Sequence, residues 1–229
     1  MDTETRPSLP LILSFNGGYV DTIGFLALQG LFTAHVTGNF VTLGAAAVFG
    51  TSGALAKLLA LPVFCAVVVS TRVSGHLMDR RHWQTLSIFL FAKLVLLIVA
   101  AILAIRLGPF ADGDGWPALV TGMTLVAAMA IQNAVHRIHL GTTPPTTLMT
   151  GTTTQIMIDL ADSLASVAAS ERQARSARLR RMASNVAMFA AGCATAALAY
   201  SLVQVWSFCM PPLVALGIVL LRVAPRRPA

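Results

Sequence analysis

The sequence predicts an all-α integral membrane protein in which six transmembrane helices form two inverted three-helix repeats, each with one re-entrant or broken helix. Composition is the first reason: of 229 residues, 56% are hydrophobic and only 11% are charged, and the mean hydropathy is +0.75. A soluble domain needs roughly a quarter of its residues charged, so lipid must cover this chain. The spacing of apolar segments and the placement of arginine are the other two reasons.

Apolar segments recur at about the length that a bilayer core demands, which is roughly 20 helical residues. Together they predict a single transmembrane domain over residues 1–229, with a first half at 9–107 and a second half at 117–222. The eight segments cover residues 9–32, 39–50, 54–71, 86–107, 117–138, 151–169, 183–203 and 207–221.

Arginine clusters at three places along the chain, whereas the loop at 108–116 contains no lysine or arginine. Positive charge accumulates on the cytoplasmic side of a membrane, so we expect the three clusters and both termini in the cytoplasm. We expect the middle cluster to be a solvated loop that faces lipid phosphates. The clusters are Arg72, Arg80 and Arg81; Arg172, Arg175, Arg178, Arg180 and Arg181; and Arg222, Arg226 and Arg227.

The number of crossings follows from these positions. Two cytoplasmic clusters must be separated by an even number of crossings, yet three apolar segments lie between residues 82 and 171. The segment at 151–169 carries Asp159 and Asp162 and follows two prolines, so it is the one predicted not to cross. Segment 39–50 would be about 18 Å long as a helix, which is also too short. Re-entrant and fully spanning forms of these two segments both stay open.

A repeat supports the same count. Thr37-Gly38 precedes segment 39–50, and Thr150-Gly151 opens segment 151–169, with matching segments on either side. An odd number of crossings in each half inverts the second half relative to the first. Interrupted hydrophobic segments at corresponding positions of two halves are typical of the binding site of a secondary transporter.

The two Thr-Gly breaks therefore mark the candidate binding site. Its predicted residues at the breaks are Thr37, Gly38 and Asn39, and Thr150, Gly151 and Thr152. Backbone amides in the first turn of a helix lack intrahelical partners and favour anions or carbonyl groups. We expect such free donors at Asn39, Thr152 and Thr153. The alternative is that these small residues only permit close helix packing.

Asp21 is the predicted proton-coupling residue, because an acidic side chain within a membrane segment is costly and usually functional. Asn16 lies one and a half turns before it, and Gln132 and Asn133 lie at a comparable depth of the second half. All three are included in the predicted substrate site. The alternative is a structural hydrogen bond from Asp21 to Gln132 or Asn133.

Other polar residues receive structural interpretations. Asp159 and Asp162 are expected to pair with nearby arginines, and Lys93 is a candidate partner for an acidic group. His35, beside the first break, is a candidate proton relay, with a solvated histidine at a loop edge as the favoured alternative. The sequence contains no nucleotide-binding, hydrolase or metal-ligand motif. We therefore expect no enzymatic activity, cofactor, metal ion or nucleic-acid partner.

Residues 17–44, GGYVDTIGFLALQGLFTAHVTGNFVTLG, resemble the YoaK-type family of bacterial multi-pass membrane proteins, labelled domain of unknown function 1275. The similarity rests on Gly18-Tyr19-Val20-Asp21, the run from 25 to 32 and His35-Val36-Thr37-Gly38-Asn39. Gln132-Asn133 and Thr150-Gly151-Thr152 extend it over nearly the whole chain. The resemblance implies a bacterial inner-membrane location and six spans, but no activity or substrate.

The resulting hypothesis is a small carrier, similar to secondary transporters, for a small polar or anionic solute, with protons coupled through Asp21. Two alternatives stay open, namely a channel or pore and a non-transporting scaffold or accessory protein. Besides the lipid bilayer and a solute, the small size allows a homodimer as a partner.

Overall fold

The computed structural model describes residues 8–147, 149–164 and 169–223, and the regular structure in these ranges is entirely helical. This confirms the predicted all-α class. Eight α-helices and one short 3₁₀ helix are described. They are α1 (Ser8–Ala27), α2 (Gly38–Phe49), α3 (Ala54–Asp79), α4 (Thr85–Leu107), α5 (Trp116–His139), α6 (Met149–Leu164), α7 (Ala169–Val203), the 3₁₀ helix (Gln204–Cys209) and α8 (Met210–Val223).

Within the described ranges, four helical segments are long and apolar enough to cross a membrane. They are α3, α4, α5 and the continuous segment Gln173–Leu221, which joins α7 to α8 through the 3₁₀ helix. Helix α2 is apolar but shorter, and α1 interrupts its apolar sequence with Asn16 and Asp21. These helices indicate a membrane protein.

The middle arginine cluster lies in a helix and not in the predicted loop. Arg175, Arg178, Arg180 and Arg181 lie within α7 rather than in a loop, because α7 begins at Ala169. The run from 173 to 182 has neither glycine nor proline and consists largely of good helix formers. With 35 residues, α7 is about 52 Å long, which exceeds the ~30 Å core of a bilayer.

Close packing of α1 against α7 forms one side of the molecule. A Cβ atom at Gly18 would lie 2.2 Å from the carbonyl oxygen of Phe189, and one at Gly192 would lie 2.1 Å from that of Phe15. No side chain fits at such distances, so the two glycines let the helix backbones touch. This contact brings Phe189 and Cys193 next to the middle of α1.

Helix α5 packs against α3 and α4 on the other side, and α4 also contacts α8. The two short helices are peripheral: among the described helices, α2 packs on α3 alone and α6 on α7 alone. Both consequently expose apolar side chains, such as Val41 and Phe49 on α2 and Met157 on α6. In a membrane protein, such surfaces face lipid or another protein.

The loop between α4 and α5 holds the start of α3. Both carboxylate oxygens of Asp114 accept backbone N–H groups there, from Gly53 and Ala54 at 3.0 and 3.1 Å and from Leu55 and Ala56 at 2.8 and 3.2 Å. These amides have no intrahelical acceptor, and a carboxylate is a favourable one at a helix N-terminus.

Candidate functional site

Asp21 lies in the middle of α1 and is 4% exposed. Its Oδ1 atom accepts the backbone N–H groups of Thr33 and Ala34, each at 2.7 Å, and its Oδ2 atom lies 2.6 Å from Nδ1 of His35. Such bonds offset the cost of burying a carboxylate. Asp21 therefore fixes the turn before α2, whereas the alternative of a bond to Gln132 or Asn133 is wrong.

His35 stands beside Asp21 with its ring between two phenylalanines. The ring centroids of Phe32 and Phe189 lie 6.2 and 5.7 Å from that of the imidazole, both edge-on. The side chain is 30% exposed, so His35 is a partly exposed loop residue as expected, but its ring also pairs with Asp21. Because Nδ1 faces Asp21, the opposite nitrogen, Nε2, points away from the carboxylate.

The chain turns sharply into α2 at the first Thr-Gly break. The side chain of Asn39 closes this turn by accepting the N–H of Phe32 at 2.9 Å and donating to the carbonyl of Phe32 at 2.8 Å. The backbone N–H of Asn39 donates to the carbonyl of Val36 at 3.1 Å. It is therefore not a free donor, contrary to expectation, because a turn of 3₁₀ type precedes the helix and uses it.

The second break is held by neutral side chains on α5. The amide nitrogen of Gln132 donates to Oγ1 of Thr146 at 3.1 Å, and Oγ1 of Thr147 donates to Oδ1 of Asn133 at 2.7 Å. All four side chains are at least partly buried. As Pro144 and Pro145 predicted, the chain from 140 to 147 is not helical.

Lys93 on α4 contacts the polar side chains that hold the second break. It is 1% exposed, and its ammonium nitrogen donates to Oε1 of Gln132. Gln132 in turn donates to the carbonyl of Leu13 at 3.0 Å. The predicted acidic partner of Lys93 is thus replaced by a neutral amide that links α1, α4 and α5.

Helix α6 begins at Met149, two residues before the predicted start. Thr153 consequently lies a full turn inside the helix, where its amide is used by the helix itself. Thr152 is 5% exposed and its hydroxyl has no hydrogen-bond partner. A Cβ atom at Gly151 would meet nothing within 4 Å, so packing does not require glycine there.

A cavity of about 560 Å³ lies where the two breaks approach each other. Four of the predicted site residues line it, namely Asp21, Thr37, Gly38 and Thr150, and they come from both halves of the chain. The other lining residues are Thr22, Phe25, Phe32, His35, Phe189 and Cys193.

Six predicted site residues do not line this cavity. Asn39 closes the turn before α2, Gln132 and Asn133 hold the second break, and Gly151 and Thr152 lie on α6. Asn16 donates to the carbonyl of Pro211 on α8 at 3.0 Å. The structure thus divides the predicted set into a cavity and the groups that hold its borders.

Sequence reasoning missed the aromatic lining of the cavity and the pairing of His35 with Asp21. The pairing had a local signal, because His35 follows Asp21 by only fourteen residues. The turn after α1 brings the chain back to the level of Asp21. Phe189 and Cys193 had none, since only the contact between α1 and α7 brings them to the site.

The predicted pairing of Asp159 is confirmed. Asp159 is 1% exposed, its Oδ2 accepts Nε of Arg178 at 2.7 Å, and its Oδ1 accepts Nη2 of the same arginine. Gln155 donates to Oδ1 at 2.8 Å. This ion pair attaches α6 to α7. Asp162, in contrast, is exposed.

The chemistry that the cavity offers is binding and proton exchange. It presents one carboxylate, one imidazole, one thiol and three hydroxyl groups beside three phenyl rings. Within the described parts of the chain, no three side chains of histidine, cysteine or acidic type are grouped as a metal site would require.

The sequence model of the family described as protein of unknown function (DUF1275) matches residues 9–221. No curated protein and no solved structure matches the chain.

Proposed function

Because the chain belongs to the family of proteins of unknown function DUF1275, its geometry has to supply the functional hypothesis, and we propose that it is a carrier for a small polar or anionic solute. The observation that carries this proposal is the shared cavity. Thr37 and Gly38 of the first break and Thr150 of the second line one space together with the Asp21–His35 pair. Interrupted helices that meet at an ionisable pair are typical of a transport site.

Two inverted repeats would account for this meeting. Helix α1 packs on α7 and α5 packs on α3, so the first helix of each half contacts the helix after the break of the other half. Likewise, α2 packs on α3 and α6 on α7. An axis in the membrane plane that exchanges the halves would produce both pairs of contacts.

Hydrogen bonds at the breaks support the same relation. Asp21 reaches His35 in the first half and Asn133 reaches Thr147 in the second, and each pair is fourteen residues apart. A side chain on the first helix thus holds the chain before the short helix in both halves.

The proposed topology has six crossings: α1, α3, α4, α5, α7 and α8. Helices α2 and α6, with 12 and 16 residues, are about 18 and 24 Å long and would be re-entrant. Helix α8 is short as well, but the preceding 3₁₀ helix adds about 12 Å to it. Both termini would be cytoplasmic, in the inner membrane of a bacterium.

In this proposal the ionisable pair supplies proton coupling and the lipid bilayer is the main partner. The carrier would need no enzymatic step, cofactor or nucleic acid. A homodimer stays a prediction.

Native Cys193 provides the test, because it lines the cavity. In a Cys65→Ala, Cys209→Ala background, its reaction with a membrane-impermeant thiol reagent is measured in right-side-out and inside-out vesicles. A carrier exposes its site to one side at a time, so we expect labelling from opposite sides in two states that a pH gradient interconverts.

Two results would contradict the carrier. Simultaneous labelling from both sides would indicate a channel, and labelling from one side under every gradient would indicate a scaffold or accessory protein. For the topology, Asp112→Cys is expected to react from outside and Arg180→Cys from the cytoplasm. Reaction of Arg180→Cys from outside would overturn the proposed orientation.

A further inference from the structure

We propose that the cavity binds a small carboxylate with an apolar, ring-shaped body, and that His35 rather than Asp21 gains and loses the coupling proton. This inference rests on the proposed carrier function and assigns the solute class at the same site. It follows from three features of the cavity: the occupied bonds of Asp21, the free nitrogen of His35 and the phenylalanine walls.

Most hydrogen-bond acceptor positions of Asp21 are occupied by groups of the protein itself. Oδ1 accepts three backbone N–H groups, those of residues 33, 34 and 35, and the hydroxyl of Thr33 at 3.3 Å, while Oδ2 faces the His35 ring. A carboxylate has about four acceptor sites, so nearly all of them are used. Protonation of Asp21 would break the turn before α2, which makes it a positioning residue.

His35 has one nitrogen committed and one available. With Nδ1 directed at Asp21, a neutral imidazole donates Nδ1–H to the carboxylate and presents Nε2 as an acceptor. A protonated imidazole keeps that bond and presents Nε2–H as a donor with positive charge. Protonation therefore offsets the negative charge of Asp21 and replaces an acceptor that repels a carboxylate by a donor that binds it.

Few other charges face His35. Among the described residues that line the cavity, the remaining titratable groups are Asp21 on α1 and Cys193 on α7. Thr22 on α1, Thr37 before α2 and Thr150 on α6 add only neutral hydroxyls. The positive charge that a carboxylate needs must therefore come from His35, since no lysine or arginine belongs to this lining.

Phenylalanine rings form the rest of the wall. Phe25 and Phe32 have ring centroids 4.9 Å apart, and His35 is edge-on to both Phe32 and Phe189. Three rings around one polar nitrogen suit a ligand with a flat apolar body and a single polar end. A highly hydrated solute, such as a sugar or a dicarboxylate, would lose water without gaining comparable contacts.

Benzoate is the probe for the binding test. Its dissociation constant from the purified full-length protein in detergent is measured by calorimetry at pH 6 and pH 8. Acetate lacks the ring, and benzamide keeps the ring without the charge. We expect benzoate to bind about tenfold or more tightly at pH 6 than at pH 8, because the imidazole must be protonated. Acetate and benzamide are expected to bind at least about tenfold more weakly than benzoate at pH 6.

Two variants assign the effect to the cavity. His35→Gln is expected to remove the pH dependence along with most of the benzoate affinity. Phe189→Leu leaves the backbone contact with Gly18 in place, so it is expected to fold and to reduce the preference for benzoate over acetate. Phe40→Leu is the matched control, because Phe40 lies on α2, is 57% exposed and does not line the cavity. It is expected to bind as the wild type does.

Several outcomes would overturn the assignment. These are equal binding of benzoate and benzamide, a benzoate affinity that does not change with pH, and an unchanged affinity in His35→Gln. If His35→Gln does not fold, Phe189→Leu decides, and an unaltered ratio of benzoate to acetate affinity contradicts the proposal.

The labelling of Cys193 and the binding of benzoate test the carrier function and the ligand class independently. If Cys193 alternates between the two sides but benzoate does not bind, then the carrier stands and the ligand class is wrong. If benzoate binds in the predicted pattern but Cys193 never alternates, then the ligand class stands and the carrier is wrong.

Discussion

The turn before α2 and the turn before α6 occupy corresponding places in the two halves, yet they are held by different chemistry. At the first turn, buried Asp21 holds two backbone amides and pairs with His35. At the second, Asn133 accepts a bond from Thr147 across the same spacing of fourteen residues. The first pair consists of two ionisable side chains, whereas the second consists of two neutral ones.

This difference separates a site that could respond to protons from one that only sets geometry. If the halves descend from one repeat, two replacements, of carboxylate by amide and of imidazole by hydroxyl, would confine the ionisable groups to one side of the cavity. Only one of the two breaks would then couple solute binding to protons. The cost of breaking each turn should differ accordingly.

Asp21→Asn is expected to lower the free energy of unfolding more than Asn133→Ala, its counterpart at the second turn. The substitution leaves the amides of Thr33 and Ala34 with a weaker acceptor and removes the carboxylate partner of the His35 ring. Hydrogen bonds to a charged group contribute about 1.5–3 kcal/mol each; since asparagine keeps part of them, we expect a loss of about 3 kcal/mol in the free energy of unfolding. Asn133→Ala should cost about 1 kcal/mol.

Unfolding of both variants in detergent micelles, followed by circular dichroism, measures this contrast. Equal losses of stability would show that the carboxylate contributes no more than the amide does. The comparison between the two turns would then have no energetic basis.

The ion pair between Asp159 and Arg178 attaches α6, the second short helix, to α7. Since α6 packs on α7 alone among the described helices, Asp159→Asn is expected to loosen the second short helix from the cavity. The expected loss in the free energy of unfolding is about 1–2 kcal/mol, because Arg178 is 53% exposed and can be solvated.

Asp162→Asn is the matched control, one turn further along the same helix and exposed. It should leave stability unchanged. Limited proteolysis of α6 and thermal unfolding measure the two variants together. A loss as large in Asp162→Asn as in Asp159→Asn would mean that net charge, rather than the ion pair, holds α6.

Glycine at the two breaks offers a smaller contrast. A Cβ atom at Gly38 would lie 3.0 Å from Cδ2 of Phe32, whereas one at Gly151 meets nothing within 4 Å. Gly38→Ala must displace the Phe32 ring and is expected to cost about 1 kcal/mol. Gly151→Ala should stabilise α6 by up to about 1 kcal/mol, since alanine favours a helix. Changes of the same sign in thermal unfolding would contradict this difference.

The sequence predicted features that depend on neighbouring residues better than features that depend on contacts between distant parts of the chain. Hydropathy and prolines located most helix ends to within a few residues because those signals are local, but α3 continues eight residues past its predicted end and α7 begins fourteen residues before its predicted start. Thr37 and Thr150 could be placed at one site from the repeat alone. Asp21 and Asn39 are buried polar groups in an apolar setting, as their sequence context predicted, but their hydrogen-bond partners were not predicted.

Partners depend on packing that hydropathy does not encode. Phe189 reaches the cavity only because Gly18 and Gly192 let α1 and α7 touch, and neither glycine specifies its opposite helix. Arg175 and Arg178 were expected in a loop because charge predicts contact with water. Charge alone does not distinguish a solvated loop from a helix that extends beyond the bilayer.

Thr147→Val is expected to have the smallest effect and tests the neutral turn directly. Thr147 is 2% exposed, and its hydroxyl donates to Oδ1 of Asn133 at 2.7 Å. Loss of one neutral hydrogen bond with little change of volume should cost about 1 kcal/mol or less in the free energy of unfolding. Thr153→Val, at an exposed position of α6, should cost less. Combined with Asn133→Ala, Thr147→Val should add little further loss, because both substitutions remove the same bond. Fully additive losses would mean that the two side chains stabilise the turn independently, and the correspondence with Asp21 and His35 would not hold.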